Sequence, residues 1–249
     1  MKKIQEDFVI AQYQSGIENY AAFTREVGLW ASENYVFQKY LKTTDRILDL
    51  GCGTGRTTFS LFDLGYTDIL GVDLTPEMIV AANLIKAERN STLSFEVGNA
   101  KALNFEAAAF DAVIFSFNGL MSIPGRAARV KALLEIHRVL KGGGLFIFTT
   151  HDREQDENYF AFWQEEKERW EKGAQKTELY EFGDIIATSK NEERPIFIHI
   201  PNQKEIQDFL MQGGFSILET FYRNEKFEES AQVKEKSGEC RFWIAQKKA

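Results

Sequence analysis

Leu48-Asp49-Leu50-Gly51-Cys52-Gly53-Thr54-Gly55-Arg56 reads as the end of a strand, a glycine-rich turn and the first residue of a helix. Glycines at 51, 53 and 55 open backbone conformations closed to other residues and let a ligand come close to the main chain. The turn also delivers the free N–H groups of a helix N-terminus, which favour an anionic group. Asp73 closes the next apolar run, Ile69–Asp73, 22 positions after Gly51, where a carboxylate can accept both hydroxyls of a ribose. Turn and carboxylate together point to an adenosine-containing ligand. The dinucleotide fingerprint, however, needs glycine in its sixth place, which here is Arg56, and Asp49 would repel a pyrophosphate while suiting an ammonium. Both departures point away from a nicotinamide-dependent oxidoreductase.

Outward from this turn, short apolar strands alternate with amphipathic helices. Strands are expected at 47–50, 69–73, 93–97, 111–115 and 145–149, with helices after the glycine turn to Leu64, from Thr75-Pro76, and over 126–140. Gly65 stands where a left-handed cap is wanted, Thr75 at an N-cap and Pro76 at the first helical position. Nearly all-apolar strands joined by helices indicate a parallel sheet covered on both faces, whose ligands bind at the carboxyl ends of the strands. The first 43 residues read as helix, with 18–41 free of proline and rich in aromatics. After His151 the alternation breaks. Residues 152–200 carry Tyr159, Phe160, Phe162, Trp163 and Trp170 at roughly helical spacing, then strands at 185–189 and 195–200; helix 204–212 and strands 215–222 and 240–245 resume the earlier grammar. The chain is therefore expected to be one α/β domain: a helical cap (1–43), a cofactor core (45–151), an inserted lid (152–200) and a completion of the sheet (201–249).

The composition bounds the function. Thirty Lys+Arg face 37 Asp+Glu, a net charge of −7, of which −6 falls in residues 151–249, so there is no overall electrostatic footprint for nucleic acid. No apolar run approaches the roughly 20 residues of a membrane span. Cys52 and Cys240, 188 positions apart, make neither a disulfide framework nor a spaced metal site, and no metal is expected. These features fit a cytoplasmic protein.

The ordered series RILDLGCGTGRTT (46–58), GVDLTPEMI (71–79), FEVGNAKALNF (95–105), FDAVIFSFNGL (110–120) and IHRVLKGGGLFIFTTH (136–151) resembles the motifs of class I S-adenosylmethionine-dependent methyltransferases. LMQGGFSILE (210–219) resembles the family's last helix and strand more weakly. The resemblance implies a Rossmann-like, doubly wound, mostly parallel seven-stranded sheet with helices on both faces and an α/β insertion after the fifth strand. It implies S-adenosylmethionine as cofactor and S-adenosylhomocysteine as product. Asp49 with the backbone at Gly51, Cys52 and Gly53 would hold the methionine moiety, with Arg56 or Thr57 near its carboxylate. Asp73 would take the ribose hydroxyls, Leu74 and Met78 would pack on adenine and ribose, Asn99 and the Ala100 N–H would read the adenine edge, and Ser116 would lie beside the methionine end. Asn99 departs from the usual Asp, and Gly142 from the usual Pro.

The acceptor side is less legible. His151 and Asn118, just past the fifth and fourth strands, are the candidates there, and Tyr159, Phe162, Trp163 or Trp170 is expected to close the acceptor pocket. Cys52 also reads as a small residue filling a tight turn, Met78 as ordinary core, His137 as part of a solvated helix face, and His199 as a partly exposed strand residue. The acceptor is read as a small molecule, with an RNA or protein methyltransferase, or a cofactor-binding protein without transfer activity, as the alternatives.

Overall fold

The computed structural model describes residues 2–187 and 195–248, so the end of the strand expected over 185–189 lies outside the described residues. The chain opens with three helices, α1 (Glu6–Gln14), α2 (Ile17–Glu26) and α3 (Ala31–Tyr40). The helix expected over the first 43 residues is broken into three: Gly28 sits at φ +65, and the Glu33 carboxylate caps the start of α3 by accepting from Trp30 N at 3.0 Å. Then β1 (Ile47–Leu50), α4 (Arg56–Asp63), β2 (Ile69–Asp73), α5 (Pro76–Glu88), β3 (Ser94–Val97), β4 (Phe110–Phe115), α6 (Arg126–Val139) and β5 (Leu140–Thr150) follow within a residue or two of expectation, except that β5 starts five residues early. The insertion supplies α7 (Phe160–Glu171) and a separate antiparallel pair, β6 (Asp184–Ala187) with β7 (Ile196–His199). The chain then returns through α8 (Gln203–Gln212), β8 (Phe215–Tyr222), α9 (Arg223–Lys226), α10 (Ala231–Lys236) and β9 (Arg241–Lys247).

Seven strands form one sheet in the order β3-β2-β1-β4-β5-β9-β8, with only β9 running against its neighbours. This is the doubly wound, mostly parallel arrangement expected. The strand order reverses between β1 and β4, so a crevice opens at their carboxyl ends. Alternate residues of each strand feed two cores. Ile47, Ala112, Ile147 and Ile244 pack with α2 to α5, whereas Leu48, Val113, Phe146 and Trp243 pack with α6 and α8.

A buried ion pair helps to fasten the helical cap to the sheet. Arg56, the first residue of α4, grips Glu33 of α3 with two bonds of 2.6 Å and donates to the Gly28 carbonyl at 2.8 Å. Its guanidinium also lies over the rings of Phe23 and Trp30, at 5.5 and 5.1 Å. Removing one partner of such a pair leaves an uncompensated buried charge, at a cost of about 3–5 kcal/mol. Arg56→Met is therefore expected to lose stability on that scale in urea unfolding, and the double variant Arg56→Met/Glu33→Leu to lose less. A loss in the double variant equal to the sum of the Arg56→Met and Glu33→Leu losses would mean that the two charges are not coupled.

Candidate active site

Between the carboxyl ends of β1, β2 and β4 and the underside of α1 and α2 lies a cleft of about 1140 Å³, counted with its opening to solvent. Its floor is the glycine turn. Gly51, Gly53 and Gly55 have φ of +69, +55 and +93, the left-handed conformations for which glycine is suited. The turn is held down by Gly51 N and Cys52 N, which donate to the Val72 carbonyl at 2.7 and 3.0 Å. Asp73 holds its far side: Oδ2 accepts from Gly53 N at 2.9 Å, while Oδ1 accepts from Thr75 N at 2.8 Å and so starts α5. That backbone N–H is capped by Asp73; the Thr75 side chain itself makes no cap bond. No side chain caps the first turn of α4, whose entry lies on the cleft.

All eleven residues expected around the cofactor line this one cleft: Asp49, Gly51, Cys52, Gly53, Arg56, Asp73, Leu74, Met78, Asn99, Ala100 and Ser116. Their states differ from simple expectation in three places. Asp49 is 1% exposed; burial pushes its carboxyl up to about 7, against the pull of the 2.6 Å bond from Thr58 Oγ1 and the attraction of Arg56. Arg56 borders the cleft with its guanidinium committed to Glu33 and Gly28, which leaves Thr57 and the α4 amides for an anionic group. The Asn99 amide oxygen already accepts from Lys101 N at 2.9 Å, and its nitrogen donates to Glu6 of α1 at 2.8 Å.

The roof comes from the N-terminal cap. Glu6, Val9, Tyr13, Tyr20, Phe23 and Thr24 line the cleft opposite the turn, together with Phe117 and the segment Ser122, Ile123, Pro124. Phe117 presents its ring against Tyr20, Phe23 and Trp30 in edge-on contacts of 5.5 to 6.5 Å. Hydroxyls punctuate this aromatic wall: Tyr13 pairs with Ser122 at 2.7 Å and Thr24 with Thr54 at 2.6 Å.

The acceptor-side candidates are placed off this cleft. Neither His151 nor Asn118 lines the cleft. His151 Nδ1 donates to the Glu239 carbonyl at 2.7 Å, so Nε2 is the acceptor of the Asn118 amide at 3.1 Å; burial lowers its pKa, helped by Arg223. A neutral ring with both nitrogens engaged has no lone pair to offer as a base. Tyr159, Phe162, Trp163 and Trp170 are also absent from the wall. Trp163 packs on Phe162 and Phe182, and Trp170 joins a small core of Ile4, Leu179 and Phe197. The insertion touches the site at one remove, as the seat of α1: Ile4 N donates to the Glu178 carbonyl at 3.1 Å, Tyr180 Oη to the Ile4 carbonyl at 2.8 Å, and Phe197 N to Gln12 Oε1 at 2.8 Å.

The other histidines are structural in setting. His199 is 1% exposed, not partly exposed as expected, with Nδ1 at 2.8 Å from Asp184 and Nε2 at 2.6 Å from Glu205. Glu181, Asp184 and His199 lie close enough to share an ion, yet Arg129 holds Glu181 at 2.5 Å and the Tyr180 and Glu181 amides occupy Asp184. His137 is half-buried against the Phe215 ring at 5.4 Å.

A doubly wound sheet with a glycine turn and a strand-end carboxylate at its switch point is the architecture of a class I S-adenosylmethionine-dependent methyltransferase. The chain belongs to that family: the family profile described as a methyltransferase domain matches residues 41–214. S-adenosylmethionine is the methyl donor this family uses. A ubiquinone/menaquinone biosynthesis C-methyltransferase of Geobacter sp. is 35% identical over 111 residues, 43% of this chain and 46% of that protein. An eEF1A lysine and N-terminal methyltransferase of Danio rerio is 28% identical over 160 residues, 60% of this chain and 22% of that protein. The chain thus spans less than half the length of these two relatives. A solved S-adenosylmethionine-dependent methyltransferase from Methanosarcina mazei shares the fold, with a TM-score of 0.71 at 23% identity over 89% of this chain and 99% of that one.

The glycines discriminate fold from ligand space. A Cβ at Gly51 would meet Phe115 Cε2 at 2.5 Å, whereas one at Gly53 meets nothing within 4 Å. Gly53→Ala is expected to fold with a loss of about 1–2 kcal/mol from its left-handed backbone, yet to bind S-adenosylhomocysteine at least tenfold more weakly. Gly51→Ala should lose more stability. Calorimetry and urea midpoints check both, and unchanged affinity in Gly53→Ala would remove the turn from the ligand's path.

Proposed function

We propose that this protein transfers the methyl group of S-adenosylmethionine to a small-molecule acceptor enclosed beneath its own N-terminal cap. The observation that carries this reading is the roof: α1 and α2 close the acceptor end of the cleft into an aromatic slot, where a polypeptide or RNA acceptor would call for an open face. The formal charge of −7 also gives no support to a polyphosphate partner. The named relatives serve quinone biosynthesis in one case and methylate protein in the other, and the roof is what favours the small-molecule reading over the protein one.

The cleft's residues fit the cofactor's chemistry. Asp49 meets the ammonium, the uncapped first turn of α4 with Thr57 meets the carboxylate, and Asp73 accepts the ribose hydroxyls. Leu74 and Met78 offer apolar surface to the adenine, Asn99 and the Ala100 N–H border its polar edge, and Ser116 stands at the methionine end. Gly53, with open space where a Cβ would be, lets the backbone come close. When bound, the cofactor supplies a methyl already activated on a sulfonium, so transfer is an in-line displacement. The chain's part is alignment and exclusion of water. Phe23, Tyr20 and Phe117 pack around the acceptor at low entropic cost, and the Tyr13–Ser122 hydroxyls give it a polar anchor.

Two outcomes check this. With labelled cofactor, a cell extract is expected to yield labelled small metabolites; label confined to protein or RNA would overturn the acceptor class. The second concerns pH. A cation beside Asp49 favours its ionised form, so its pKa falls on binding. Above pH 7 the carboxylate is already ionised and affinity is at its plateau; below it the ligand must displace a proton, and affinity falls by up to about tenfold per pH unit. Calorimetry of S-adenosylhomocysteine in buffers of different ionisation heat should show proton release near pH 6.5. A pH-independent affinity would move the ammonium away from Asp49.

A further inference from the structure

The adenine edge of the cleft lacks the carboxylate that the family resemblance leads one to expect at position 99, and Asn99 there has its amide oxygen occupied by Lys101 N. A carboxylate reaches the same place from elsewhere in the chain. Glu6, in the first turn of α1, lines the cleft beside Asn99, Ala100 and Lys101. It accepts from Asn99 Nδ2 at 2.8 Å and pairs with Lys101 Nζ at 2.7 Å, both on Oε1. Among the described residues Oε2 carries no bond. The pairing with Lys101 and Asn99 outweighs partial burial and holds the carboxyl below its ordinary range, so Glu6 is an anion at neutral pH. Asn99 and Lys101 thus fix one oxygen of the carboxylate, and the other remains an acceptor on a residue that lines the cleft.

We propose that Glu6 is the adenine-reading carboxylate of this protein: Oε2 accepts a hydrogen from the exocyclic amino group of the cofactor's adenine, and α1 closes onto the ligand it recognises. The inference rests on the reading of this cleft as the S-adenosylmethionine site. It assigns recognition of the base to a helix 93 positions away from the strand end that ordinarily supplies it. It also gives the insertion a function at a distance. Glu178 through its carbonyl, Tyr180 through its hydroxyl and Phe197 through its N–H seat α1 and the residues before it, so they hold the reading group in place without touching the ligand. Shortening the insertion is then expected to weaken the cofactor as well as the acceptor, whereas a lid over the acceptor alone would leave the cofactor unaffected.

The test compares S-adenosylhomocysteine with S-inosylhomocysteine, in which an oxo group replaces the amino group, by calorimetry on the full chain. The parent is expected to prefer the adenosyl ligand by about tenfold or more, the size of one hydrogen bond to a charged group. Glu6→Ala should lower the ratio, and Glu6→Gln, whose amide can donate to an oxo group, should lower it further; the remainder belongs to ring N1, which accepts in the adenosyl ligand and carries a hydrogen in the inosyl one, beside the Ala100 N–H. Lys101→Met removes the ion pair that steadies the carboxylate and leaves Oε2, so its ratio should fall only part of the way towards that of Glu6→Ala. A parent that binds both ligands equally, or a folded Glu6→Ala that keeps the parent's ratio, overturns the proposal and makes Glu6 a latch for α1. So does a Lys101→Met variant that loses the ratio as fully as Glu6→Ala does. Failure of the parent to bind either ligand, by contrast, would bring down the reading of the cleft itself.

Discussion

The ion pair between Arg56 and Glu33 is the constraint on which the cap, the glycine turn and the cleft between them depend. Its two 2.6 Å bonds are shielded from water, with both side chains under a tenth exposed, so the attraction is strong while the cost of stripping water from two charges is large. The arrangement works because the two charges also take up neighbouring polar groups of the backbone, although the Trp30 indole N–H beside them is left without a partner among the described residues. Glu33 also takes the Trp30 amide, Arg56 also donates to Gly28, and the Glu229 carboxylate accepts the Ala31 and Ser32 amides that begin α3. A helix start, a left-handed glycine and the first residue after the cofactor turn are thereby tied in one knot. The cleft roof is held against its floor by the same knot.

The two carboxylates at the floor, Asp49 fully buried and Asp73 half-buried, are prepared differently, and the difference follows from their partners. Asp73 is raised by burial, but two backbone amides oppose that and orient both oxygens; the carboxylate thus serves the turn and α5 before any ligand arrives. Asp49 has one hydroxyl, from Thr58, and is pushed up to about 7. An anion held in so dry a place, with one short hydrogen bond, is poised to be completed by a positive group.

How far the molecule was legible from its sequence depends on how local each determinant is. The glycine turn, Asp73 and the strands around the switch point are written within a few residues of one another, because positive φ and apolar strand patterns are local demands. That is why eleven expected residues fall on one cleft. The roof was not legible in this way. Glu6 meets Asn99 across 93 positions, Phe197 meets Gln12 across 185, and nothing in the spacing of either segment marks the pairing. Arg56 was read as a ligand group because it follows the turn; its true partner, Glu33, lies 23 positions back on a helix expected to run unbroken through Gly28. The aromatics of the insertion suggested a lid because they are large and near the carboxyl edge, but proximity in sequence to that edge did not carry them to the cleft.

His151 lies off the cleft and still bears on its wall. Phe117 and Asn118 both adopt left-handed backbone, at φ +54 and +60, a conformation that costs a non-glycine residue about 1–2 kcal/mol. Two adjacent residues are held there only if their surroundings over-determine them. Asn118 N donates to Thr149 Oγ1 at 3.0 Å, and its side-chain amide is received by His151 Nε2. That bond needs an unprotonated Nε2, and the burial that lowers the His151 pKa keeps it so, while the Glu239 carbonyl fixes the proton on Nδ1. Protonating His151 would turn the acceptor of the Asn118 amide into a second donor facing it. The turn so stabilised brings Phe117 onto the cleft wall and against Tyr20, Phe23 and Trp30, where the cap meets the sheet. The two residues picked out for position near the reacting groups thus act through a third: they hold the backbone that carries the aromatic wall, and their chemistry is neutral because a strained turn needs a fixed pattern of donors and acceptors.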